Sequence, residues 1–259
     1  MSLLGWIILF SLLGGVVSVL AAALFLLFPD RIRLAALPHF VSFAIGALLG
    51  AAFLALIPHA LSGEHGIEFH TLGLTVLLGI LGFFLMEKMV LWRHCHEDVC
   101  EAHAPTEHQH AQAAGTLVLI GDAIHNLVDG VLIAAAFMTD LHLGVVTALA
   151  VAAHEIPQEV GDFAILLNSG FSRARAFLFN ILASVTTVVG ALIAYISLQQ
   201  TQAAVPYVLA IAAASFIYVA VADLIPGLHK RVELHETIRQ IVLIALGVMI
   251  IYFAHTTLH

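Results

Sequence analysis

The chain has 259 residues, of which 61% are hydrophobic and only 10% are Asp, Glu, Lys or Arg. A water-facing domain carries roughly 25% charged residues, so an ordinary soluble enzyme and a disordered chain are both excluded. The formal net charge of −8 leaves no basic stripe for nucleic acid, and the composition is that of a multi-pass membrane protein.

Crossing the hydrocarbon as a helix takes about 20 mostly apolar residues. Eight stretches qualify, at roughly Leu3–Phe28, Phe40–Leu61, Thr71–Trp92, Thr116–Met138, Leu143–Leu167, Ala174–Ser197, Val205–Pro226 and Ile238–Ala254. The expected fold is therefore all-α, a single transmembrane domain over residues 1–259 with eight spanning helices. No Lys or Arg precedes the first apolar run, as it would in a cleavable signal, so that run reads as a retained span. Pro29-Asp30, Ser62-Gly63-Glu64, Thr139-Asp140, Asn168-Ser169-Gly170 and Pro226-Gly227 are the turn signals between spans. A four-residue turn around Thr139 to His142 makes the fourth and fifth spans antiparallel neighbours.

Orientation follows from the nine basic residues. Arg31, Arg33, Lys88, Arg93, Arg173, Arg175, Lys230, Arg231 and Arg239 all fall around the loops after odd-numbered spans, hence on one side. The positive-inside rule makes that side the cytoplasm and places both termini outside. The longest connection, residues 93–115, is then a cytoplasmic His-rich loop containing His94, His96, His103, His108 and His110 with Cys95 and Cys100. Its irregular spacing matches no zinc-finger pattern and suits a loose metal-collecting segment. Two cysteines in a reducing compartment form no disulfide framework.

Ionisable residues inside spans are functional by default, because burying them unpaired costs several kcal/mol. The fourth span contains Asp122, His125, Asn126 and Asp129; the fifth contains His154, Glu155, Pro157, Gln158, Glu159 and Asp162. His125 and Asp129 are four apart and Asn126 and Asp129 three apart, so they share a helical face. His154 and Gln158, with Glu155, do the same in the fifth span. Pro157 should kink its helix, which is tolerated where the freed groups face protein or a cavity. Both polar faces lie near mid-span, where transporters place substrate sites. Asp122, Asp129, Glu155, Glu159, Asp162 and Asp223 have no Lys or Arg at that depth. Carboxylates with two imidazoles and no thiolate suit a divalent transition metal, Zn²⁺ above all, with Fe²⁺, Mn²⁺ or Cd²⁺ allowed.

At these residues the sequence resembles the ZIP family of divalent metal transporters. His125-Asn126-Leu127-Val128-Asp129-Gly130 and His154-Glu155-Ile156-Pro157-Gln158-Glu159-Val160-Gly161-Asp162 are similar to its two signature helices. They are closest to the subgroup with His-Asn-x-x-Asp-Gly and His-Glu-x-Pro-His-Glu-x-Gly-Asp. Gly82 to Lys88 and Tyr218 to Pro226 resemble its third and seventh spans. The resemblance implies helices one to three and six to eight as inverted repeats around helices four and five, and Leu56-Ile57-Pro58 matches Leu224-Ile225-Pro226. It further implies a homodimer and metal moving toward the cytoplasm through two adjacent sites. By position one site would use His125, Asp129, His154 and Gln158; the other Asn126, Asp129, Glu155 and Gln158. Gln158 departs from the subgroup's second His, Thr187 stands where some members have a carboxylate, and Ala51 and Ala55 replace an Asp and a His.

The expected function is transport of a divalent metal ion, most simply Zn²⁺ import by alternating access, with the metal as cargo rather than cofactor and no enzymatic activity. The short chain suggests a prokaryotic cytoplasmic (inner) membrane. The competing reading is an intramembrane zinc hydrolase, since His154-Glu155-Ile156-Pro157 opens like His-Glu-x-x-His; Gln158 and Pro157 both break that motif. A metal sensor without flux is the third.

Overall fold

The computed structural model describes residues 1–62, 66–95, 107–229 and 233–257, with side chains described outside 90–114. Eight helical rods follow one another: α1 Leu3–Phe25, α2 Asp30–Leu61, α3 Phe69–Cys95, α4 Glu107–Thr139, α5 Leu141–Asn168, α6 Arg173–Gln200, α7 Gln202–Leu228 and α8 Leu234–Thr257. Seven are long and apolar enough to cross a membrane. The other, α5, has 28 residues, about 42 Å at 1.5 Å per residue. Its hydropathy is lowered by His154, Glu155, Gln158, Glu159 and Asp162. The chain is thus an all-α, multi-pass protein.

Chemistry at the helix ends explains the connections. Asp140 alone separates α4 from α5, its carboxylate accepting from the His142 and Leu143 amides at 2.8 and 3.0 Å. That caps the new helix and folds it back at once. The turn is therefore tighter than the four residues expected. At the other end of α5, Gly170 adopts φ 84°, while Phe171 N–H donates to Leu166 and Gly170 N–H to Leu167. Only glycine enters that left-handed conformation cheaply, and the paired bonds satisfy the last carbonyls.

Two expected boundaries move. The second helix starts at Asp30, not near Phe40, and runs through Pro38. The seventh continues through Pro226 and Gly227 to Leu228 instead of turning there. Prolines are accommodated inside membrane helices when neighbouring groups re-satisfy the freed backbone. In the His-rich connection, 93–95 and 107–115 are helical; its remaining residues, 96–106, lie outside the described ones.

Helices α2 and α7 share a backbone irregularity. A six-residue π-turn occupies Ala51–Leu56 in α2 and another Val219–Leu224 in α7, each followed directly by Ile-Pro. A proline ring collides with the carbonyl four residues before it. A turn widened to i→i+5 relieves that collision, so Pro58 and Pro226 produce the same irregularity in oppositely running helices.

The rods pack as two bundles. Helices α1, α4, α5 and α6 contact one another, α2 contacts α3, α7 and α8 with α3 also against α7, and the bundles meet mainly where α5 lies against α2 and α4 against α7. Small residues let the backbones touch. A Cβ at Gly130 of α4 would fall 2.7 Å from the Thr187 carbonyl carbon and 2.8 Å from Ala191 N of α6. Gly190 faces the Leu127 backbone from α6, and Gly46 and Gly247 play the same reciprocal roles between α2 and α8. Without a hydrophobic drive between helices in lipid, such close contact holds the bundle together.

Candidate metal centre

The phase of α4 and α5 puts four side chains into one cluster. His125 Nε2 lies 3.2 Å from His154 Nε2, 3.8 Å from Asp129 Oδ2 and 3.5 Å from Glu155 Oε1. His154 Nε2 is 3.3 Å from Asp129 Oδ2 and 3.8 Å from Glu155 Oε1. One ligand atom from each of the four fits within 4.8 Å of the rest. Asp129, His154 and Glu155 are buried and His125 is half-buried.

The details favour metal ligation over simple core packing. His154 Nδ1 is 3.0 Å from the Ala150 carbonyl. As the proton donor there, Nδ1 leaves Nε2 with a lone pair facing the cluster. Two imidazole nitrogens at 3.2 Å can share at most one hydrogen between them. Both oxygens of Asp129 and of Glu155 lack a hydrogen-bond partner. No Lys or Arg forms an ion pair with them among the described residues. Buried carboxylates in this state need a proton or a cation.

The six sequence-derived candidates divide. His125, Asp129, His154 and Glu155 come together. Asn126, next to His125, and Gln158, one turn from His154, turn to Asp122 instead. Asn126 Nδ2 donates to Asp122 Oδ1 at 2.8 Å, and its Oδ1 accepts from Thr187 Oγ1 at 2.7 Å. Gln158 Nε2 reaches Asp122 Oδ1 at 3.5 Å. Asp122 and Glu159, read from the sequence as in-span acids without a site role, gather with Glu155 in a second cluster within 4.8 Å. Their spacing held the signal: Asp122 precedes Asn126 by one turn and Glu159 follows Glu155 by one turn.

A cavity of about 370 Å³ leads away from the cluster. Its wall includes Leu37, Glu87, Asp122, Gln158, Asp162 and Asp223. Each lies on the basic-loop side of His125 or His154, toward Arg33, Lys88 and Arg173. Tyr218 donates to Glu87 across this cavity and joins α7 to α3. On α7, Phe216 packs against His154, with ring centroids 6.1 Å apart.

Comparison with known proteins agrees with this geometry. Residues 92–255, which include both signature helices, match the family described as ZIP zinc transporter. Zinc transporter ZIP13 of Pongo abelii is 31% identical over 226 residues, covering 83% of this chain and 65% of that protein. Zinc transporter zipt-7.2 of Caenorhabditis elegans is 30% identical, covering 82% of this chain and 56% of its own length. The Drosophila melanogaster ZIP13 homolog is 31% identical, with 80% and 74% covered. The chain thus spans less than two thirds of the first two relatives. These are animal proteins and give no support to a prokaryotic inner membrane; transporters by name, they give none to a hydrolase either. By its matched residues and its relatives, the chain belongs to the ZIP zinc transporter family.

Proposed function

We propose that the protein carries divalent transition-metal ions, Zn²⁺ foremost, across a membrane through the His125, Asp129, His154 and Glu155 cluster. The observation that carries this is a mixed imidazole–carboxylate cage beside a cavity that His125 lines, with no Lys or Arg paired to it among the described residues. A permanent structural zinc would be enclosed, whereas cargo must be able to leave. The cavity supplies the exit. Its position on the basic-loop side, the cytoplasmic side by the positive-inside rule, supports the reading of import. Entry is then from the opposite face, where the termini lie. The metal is substrate, and pairing into a homodimer belongs to the same proposal.

Alternating access follows if closure of the cavity accompanies opening beside Phe216. Flux into proteoliposomes loaded with a zinc-sensitive dye tests the reading, comparing wild type with His125→Ala and His154→Ala and using Mn²⁺, Fe²⁺ and Cd²⁺ as competitors. A dye response lost in both variants is the expected result. Tight stoichiometric binding without any flux would overturn transport and favour a sensor.

A further inference from the structure

A second cavity, of about 310 Å³, opens at the basic-loop ends of the helices. It lies where the ends of α1 and α5 meet the beginnings of α2 and α6, so both bundles contribute to its wall. It shares no lining residue with the cavity beside His125. Its charged lining residues, among those described, are Arg33 and Arg173. The remainder is apolar, and Leu26, Phe163 and Phe177 there belong to a small packed core. Arg33 pairs through Nη2 with exposed Asp30, yet its Nε is shielded from water and has no hydrogen-bond partner among the described residues. Arg173 forms no ion pair among the described residues. A shielded guanidinium donor without an acceptor is costly, and an anion in the cavity would supply one. Arg173 also begins α6, where the positive end of the helix dipole adds to the attraction for an anion.

We infer that this cavity binds an anionic phospholipid, with the phosphate held between Arg33 and Arg173 and the acyl chains laid along the apolar wall. Position argues for a lipid over a free anion. Both arginines stand at the ends of spanning helices, at the depth of bilayer headgroups. Leu27 and Leu167 also line the cavity and are 80% and 37% exposed, so its rim offers bare hydrocarbon that a soluble anion would leave uncovered. Basic pockets between membrane helices recognise anionic headgroups in this way, and a guanidinium fork can bond two phosphate oxygens at once. The volume stands at the low end of ligand sites, about 300–1,000 Å³, enough for a headgroup whose chains run outside. Arg33 belongs to α2 and Arg173 to α6, so the lipid ties one bundle to the other in the arrangement seen here. Its binding does not depend on the metal path.

The test counts lipid on the purified, delipidated full chain in detergent. Dioleoyl phosphatidylglycerol, dioleoyl phosphatidylcholine or inorganic phosphate is titrated in, and native mass spectrometry is read alongside thermal melts. Wild type should retain a single phosphatidylglycerol and melt higher with it, whereas phosphatidylcholine and inorganic phosphate at matched concentration should do neither. Arg33→Gln/Arg173→Gln should weaken retention roughly ten- to thirtyfold, the effect of two basic residues at an anionic surface. Arg31→Gln/Arg175→Gln removes the same charge from the same face outside the cavity lining and should bind like wild type. Should the first pair fail to fold, Leu167→Trp, which fills the cavity and keeps both charges, should displace the lipid instead. Equal weakening in the two double variants would reduce the effect to general surface charge and overturn the site. Equal retention of phosphatidylcholine, or stabilisation by inorganic phosphate alone, would overturn the anionic lipid as its occupant.

Discussion

Gly130 follows Asp129 of the histidine cluster directly and lies where α4 and α6 touch, so Gly130→Ala perturbs packing and site together. The added Cβ would sit 2.7 Å from the Thr187 carbonyl carbon and 2.8 Å from Ala191 N, where real Cβ atoms keep beyond 3.0 Å. Both obstacles are backbone and cannot rotate away. The Thr187 carbonyl oxygen is nearer still, and since carbon atoms pack comfortably at about 3.5–4.0 Å, α6 must retreat by more than about 1 Å. The same shift would stretch the 2.7 Å Thr187–Asn126 bond past hydrogen-bond length. Overpacking of this kind costs about 1–3 kcal/mol, a fall in melting temperature of about 3–10 °C for a chain this long. Gly73→Ala and Gly82→Ala are the controls, because nothing lies within 4 Å of either added Cβ. They should be neutral or raise stability by up to about 1 kcal/mol. Thermal melts in detergent, with Zn²⁺ flux alongside, decide the matter. If Gly130→Ala melts with the two controls, the crossing is looser than described and the packing argument fails.

Thr187→Val keeps the shape of the side chain but removes the hydroxyl that satisfies Asn126. A melt should show a loss of about 1–3 kcal/mol for the orphaned acceptor, and an unchanged melt would mean that water or another donor replaces it. A protonated ring cannot ligate, so Zn²⁺ flux should fall several-fold on acidification from neutral pH; a flat profile would show that imidazole ligation does not limit uptake.

Much of this architecture could be read from residue order. Hydropathy gave eight helices, and the 3.6-residue period placed His125 with Asp129. Other features depend on contacts that no periodicity encodes. Pro226 reads as a stop, yet it lies inside a helix, because packing decides whether a proline ends a membrane helix or is absorbed by it. The π-turns before Pro58 and Pro226 are such an absorption. Asn126 and Gln158 shared a face with the ligands, but which end of an amide points inward depends on its neighbours, here Asp122 and Thr187. Asp122 and Glu159 were visible as in-span acids. Their convergence on Glu155 became apparent only when α4 and α5 were set side by side.

All four side chains of the histidine cluster come from α4 and α5, in one bundle. The facing wall of the cavity, with Leu37, Glu87 and Asp223, belongs to the other. Displacing one bundle past the other would change which water reaches the ion without breaking any bond to it. Affinity and exposure are then separately adjustable: changes along the seam should alter turnover at constant dissociation constant, and changes within the cage should alter the dissociation constant first.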